Sequence, residues 1–129
     1  MLKMKAFYYK ALSTSTELLE ELGDNGDIVS SYPHTIEKFP LIIYSDDTQS
    51  DTEYAENKPT ASSCSVTIHI FTKAVYGYPT TSTLGVIIAN IFNDLYFHCS
   101  SNREVENIDS SVKHRVMIFN RDLLPGDIE

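Results

Sequence analysis

Apolar side chains recur along this chain at helical intervals in two stretches and at every second position in others. From Leu2 to Leu22, Phe7, Ala11, Leu18 and Leu22 fall on one stripe with Tyr8, Leu12 and Leu19 beside it, the spacing of an amphipathic helix. "STST" at 13–16 interrupts that stripe, and Thr16 ahead of Leu18, Leu19 and Leu22 offers a fresh N-cap. "GDNG" at 23–26 then ends the helix by turn chemistry. A second helix is predicted over 83–97, capped by Thr83 and carrying Leu84, Ile87, Ile88, Ile91 and Leu95.

The remaining apolar segments read as strands. Ile28 and Val29 form a short one that ends at Tyr32-Pro33, and "FPLIIYS" from Phe39 has the β-formers of a central strand. In "SSCSVTIHIFTK", residues 62–73, one parity collects Cys64, Val66, Ile68 and Ile70, and the other collects Thr67, His69, Phe71 and Lys73. Cys64 and His69 therefore lie on opposite faces, which separates them as metal ligands or as a nucleophile and its base. "VKHRVMIFN" from Val112 alternates as well, with Val112, His114, Val116 and Ile118 assigned inward and Lys113, Arg115, Met117 and Phe119 outward.

Together these elements predict one α+β domain: a mainly antiparallel four-stranded sheet, two helices on one face, and a long acidic loop at 46–60 between the second and third strands. The connection from the third strand through the helix to the fourth is long enough for a crossover, which allows one parallel pair. Residues 122–129 read as a flexible tail. The length of 129 residues fits a single core that needs no staples.

Charge narrows the function classes. A net charge of -8 with no basic stripe disfavours a protein that grips nucleic acid by its phosphates. Two cysteines make no disulfide framework, and the longest apolar run, "LGVIIANIF", is too short to span a bilayer. The start has lysines where a secretory signal needs an uninterrupted apolar core, so the expected location is cytoplasmic. Motifs for catalysis are missing: the five glycines are isolated turn residues, and there is no G-x-S-x-G elbow or H-E-x-x-H pair.

The acidic loop fails as an EF-hand. Counting from Asp47 puts Thr52 at the glycine position and Lys58 at the bidentate glutamate, while counting from Asp46 puts Asp51 and Asn57 there. His98 and Cys99 are neighbours, but His34, His69 and His114 lack zinc-site spacing. No catalytic, metal or cofactor residue is assigned. On the outward side of the sheet, Phe71, Met117 and Phe119 interrupt polar rows and predict an association patch.

The order "LLEELGDNG", "FPLIIYS", "TEYAENK", "VTIHIFTK", "TLGVIIANIFNDLYF", "VKHRVMIF" resembles the tail terminator, or tail completion, proteins of long-tailed phages and their prophages over nearly the whole chain. That resemblance implies a non-enzymatic protein without cofactors. Its subunits form a ring, commonly a hexamer, on the head-proximal end of the tail tube, where it stops polymerisation and presents a surface for head joining. The implied partners are further copies of the chain, the major tail tube protein and a head-tail connector protein, with DNA only as passing cargo and no membrane. Assembly would take place in the host cytoplasm and the product would reside in the virion tail. Thr52 to Lys58 would belong to a loop that orders against neighbouring subunits. The expected contact residues are thus Asp46, Asp47, Asp51, Glu53, Tyr54, Glu56, Lys58, Phe71, Met117 and Phe119. Tyr54 is the preferred anchor, since an aromatic ring offers much contact area for little ordering entropy. Pro59 and the acidic tail depart from the family pattern. The rival readings are an adjacent head-tail connector or head-completion protein, and a small metal-dependent binder or enzyme built on His98, Cys99 and the acidic loop.

Overall fold

A computed structural model describes residues 5–23, 26–30, 38–46, 62–74, 77–105 and 111–123. Three helices and five strands follow one another as α1 (Lys5–Ser13), α2 (Thr16–Leu22), β1 (Asp27–Val29), β2 (Leu41–Asp46), β3 (Ser62–Lys73), α3 (Thr81–Asp94), β4 (His98–Val105) and β5 (Val112–Leu123). The class is α+β, as the sequence pattern predicts, but the sheet is mixed and has five strands instead of four.

The interrupted first helix is two helices. Ser15, one residue before the expected cap, accepts the Leu18 N–H on its hydroxyl at 3.2 Å and starts α2. Gly23 closes it at φ 65°, donating its N–H to the Leu19 carbonyl at 3.0 Å. In the same way Thr80, not Thr83, caps α3: its hydroxyl accepts the Thr83 N–H at 3.1 Å. The helix stops at Asp94, three residues before the predicted end at 97.

Strand order is β1-β2-β3-β5-β4. The parallel pair is β1 with β2, Ile28 opposite Ile42, and not the pair joined through the long helix. That longer connection contains β4, a strand the apolar pattern does not announce, so β5 returns antiparallel to β3 along twelve residues of each. β4 pairs antiparallel with the far side of β5, with a register shift between Cys99 and Ser101.

All three helices cover one face. Tyr8, Leu12, Leu18, Leu22, Leu84, Ile88 and Phe92 meet a sheet layer of Ile42, Cys64, Val66, Ile68, Ile70, Met117 and Phe119. Phe92 stacks on Phe119 with ring centroids 4.8 Å apart, and Phe97 meets its edge at 5.4 Å. The opposite face carries a smaller cluster of Phe39, Leu41, Ile43 and Phe71, with Val29, Tyr78 and Val112 against it.

The start of α3 is tied to the sheet by one cation. Arg115 of β5 donates to the Thr81 hydroxyl at 3.3 Å, the Ser82 hydroxyl at 3.0 Å and the Asn102 amide oxygen at 2.8 Å. The Thr81 hydroxyl donates in turn to the Glu104 carboxylate, which lies 3.8 Å from the same guanidinium. Helix and strand approach closely here because Gly85 has no side chain: a Cβ would stand 3.3 Å from Arg115 Cδ and 3.4 Å from Met117 Sδ. Arg115→Ala is expected to cost about 1 kcal/mol, since water replaces the bonds to exposed partners and only the Thr81 link is sheltered. A fall in the urea midpoint at unchanged slope is the measurement, and an unchanged midpoint refutes it.

Candidate functional site

The sheet face turned away from the helices carries chemistry that the other face does not. Cross-strand register places His69 opposite Val116 and Phe71 opposite His114 on β3 and β5. On the flanks, Ile43 of β2 stands beside His69, and Arg103 of β4 stands beside Val116. Directly opposed residues share a face, so these side chains form one surface.

Three rings stack across it. Phe71 and His114 lie nearly parallel at 14° with centroids 4.1 Å apart, and His69 continues the stack 5.2 Å from His114. His69 Nδ1 and His114 Nε2 are 3.0 Å apart, a hydrogen bond in which one ring donates its N–H to the bare nitrogen of the other. Burial, then the charge of His69 and of Arg103, pushes the His114 pKa down to about 4. At neutral pH the imidazole of His114 is therefore uncharged, and it is too weakly basic to serve as a general base there.

The expected association patch of Phe71, Met117 and Phe119 does not form. Met117 and Phe119 are 0% and 1% exposed on the helix-covered face, opposite Ile68 and Val66. The inward row of β5 is Lys113, Arg115, Met117 and Phe119, the reverse of the assignment by parity. Of its two cations, Arg115 is received by Glu104 and the polar start of α3, while Lys113 is exposed near the end of the strand. Phe71 lies on the other face, 6% exposed within its own cluster. Cys64 is buried in the core, while His69 stands on the far side of β3.

Asp46 is the last residue of β2, paired with Val66. Asp47, Asp51, Glu53, Tyr54, Glu56 and Lys58 lie outside the described residues, as do residues 124–129 of the expected tail. His98 and Cys99 are exposed on β4, where the Cys99 thiol donates to the Ser101 carbonyl at 3.1 Å. Among the described residues no three His, Cys, Asp or Glu side chains converge as metal ligands. No helix among them is long and apolar enough to cross a membrane.

A shallow pocket of about 350 Å³ opens beside the start of α3, lined in part by Lys73, Tyr78, Thr80, Thr81, Glu104 and Lys113. It brings together no Ser–His or Cys–His pair, and the Thr81 hydroxyl on its wall is already engaged with Glu104.

No family model matches the chain, and no curated protein matches it. Among solved structures, a chain in the virion of the native gene transfer agent (GTA) particle is similar, with a TM-score of 0.61 at 11% identity over 90% of each chain. At that identity the likeness is one of fold: the helices, the mixed sheet and their order belong to an architecture that also occurs in a virion.

Proposed function

We propose that this chain is a structural protein of a phage-type virion, acting as a ring-forming terminator at the head-proximal end of a tail tube. The observation that carries this reading is the fold likeness, over 90% of both chains, to a chain of a virion particle. The ordered segments from "LLEELGDNG" to "VKHRVMIF" add the resemblance to tail terminators. The Thr81 hydroxyl in the pocket is held between Glu104 and Arg115, and His114 is too weak a base at neutral pH, so assembly accounts better than catalysis for what these residues do.

Within this reading the subunit contacts come from Asp46, Asp47, Asp51, Glu53, Tyr54, Glu56 and Lys58. Phe71 belongs to the packing beneath the histidine face, and Met117 and Phe119 belong to the core. The acidity suits a channel through which DNA passes, because a negative wall repels phosphate.

The test is electron microscopy of induced lysates in which the gene carries an early stop codon. Filled heads beside unjoined tails of irregular, excessive length are expected. Joined tails of normal length overturn the proposal. Tails of normal length that fail to join assign the chain to the head side of the junction, as a connector or head-completion protein.

A further inference from the structure

His69 and His114 lie 45 residues apart in sequence, and the pairing of β3 with β5 makes them diagonal neighbours on one face. The nitrogens that meet, His69 Nδ1 and His114 Nε2, are 3.0 Å apart. Both rings are half-buried, and Phe71 steadies His114 by lying parallel to it at 4.1 Å. Burial and the neighbouring charges push the His114 pKa down to about 4, so at neutral pH this imidazole is in the uncharged form that binds metal ions.

The separation of the two nitrogens selects the ion. With metal–nitrogen bonds of about 2.0–2.1 Å, imidazoles at adjacent corners of a square hold their nitrogens about 2.9 Å apart, and at two corners of a tetrahedron about 3.3 Å apart. The observed 3.0 Å fits the square. Tetragonal sites with nitrogen and oxygen ligands suit Cu(II) and Ni(II), whereas zinc takes the tetrahedron. Arg103, beside Val116 on the same face, opposes ions held mainly by charge, such as magnesium or calcium, and leaves those that imidazole itself binds strongly. We infer that His69 Nδ1 and His114 Nε2 chelate one ion of the Cu(II) or Ni(II) class across β3 and β5, with water at the remaining positions. The ring that donates the shared hydrogen bond then carries its proton on its other nitrogen, so both facing nitrogens present lone pairs and no net proton is released. A turn of each ring about its Cβ–Cγ bond, a soft torsion, aims the two lone pairs at a common point beside the line that joins them. The ion links two strands of the sheet and so stabilises the fold that holds it.

The experiment is calorimetric titration of the purified chain with Ni(II), and separately with zinc, at about pH 7.5, above the ordinary imidazole pKa. One Ni(II) per chain is expected, bound more tightly than zinc and raising the melting temperature. His69→Asn and His114→Asn should each weaken binding at least about tenfold, because the imidazole that remains has lost its chelating partner. His98→Asn, which removes an exposed ring on β4, should leave binding unchanged. In the native chain a trace of paramagnetic Ni(II) should broaden the ring proton signals of His69 and His114 before those of His34 and His98, a readout that needs no variant to fold.

Unchanged affinity in His69→Asn or His114→Asn, first broadening at His34 or His98, zinc bound as tightly as Ni(II), or a native chain that takes up no Ni(II) each overturns the inference. Tail length in the stop-codon lysates bears on the terminator reading alone, so the two can fail separately.

Discussion

Replacing Phe92 by alanine will destabilise the protein by about 3–5 kcal/mol, a large part of the total stability of a domain this size. The ring is fully buried on α3, stacked on Phe119 from the sheet and packed against Tyr8 from α1 and Phe97 just before β4. Removing it costs the transfer free energy of the lost atoms and leaves a cavity walled by three other aromatic rings. Those rings cannot collapse inward without leaving their own rotamers, which holds the loss near the top of the range for such substitutions. Phe92→Leu keeps part of the volume and should lose about half as much. Chemical denaturation of the three proteins measures both. A Phe92→Ala loss under about 1.5 kcal/mol would mean that helix and sheet are not packed through this ring.

Acid will destabilise the fold through His114. With a folded pKa near 4 against an ordinary 6.5, the unfolded chain binds the proton more readily between those values. The stability contributed by the neutral ring is fully present above about pH 6.5 and is lost as the pH falls through about 4. Protonation would add a further positive charge to a surface shared with His69 and Arg103. Discounted for solvent at a half-buried position, the loss is about 2 kcal/mol. Carboxylates titrate over part of the same range, so the decisive comparison is the slope of stability against pH between about 4.5 and 6.5 in the native chain and in His114→Asn. The variant should be flatter there, and parallel slopes would remove His114 as the cause.

The strand at 62–73 was fully legible because its apolar parity is unbroken: Cys64, Val66, Ile68 and Ile70 face the core as alternation requires. β5 alternates as clearly, but both of its rows mix apolar with polar residues. Alternation fixes which residues share a face, not which face is covered. Arg115 and Lys113 argued for the solvent side; Lys113 is indeed exposed, and Arg115 is accommodated by Thr81 and Glu104, which lie 34 and 11 residues away from it. β4, "HCSSNREV", has almost no apolar signal, since an edge strand is held by its ladder to β5 and not by burial. The left-handed close of α3 was invisible for another reason. Nothing in "NDLYFHC" marks Tyr96 as left-handed until the α3 ending and its three hydrogen bonds are seen.

The order in which the strands lie has a consequence for synthesis on the ribosome. β5 follows every other strand in sequence, yet it occupies the slot between β3 and β4. Until it emerges, β4 has no neighbour at all. β3 meanwhile presents a twelve-residue edge of unpaired amides and carbonyls beside the row of Cys64, Val66, Ile68 and Ile70. Such an edge recruits any extended chain nearby, including another nascent copy. The sheet therefore cannot be completed vectorially, and the interval before Val112 clears the exit tunnel is the window in which that edge stands open.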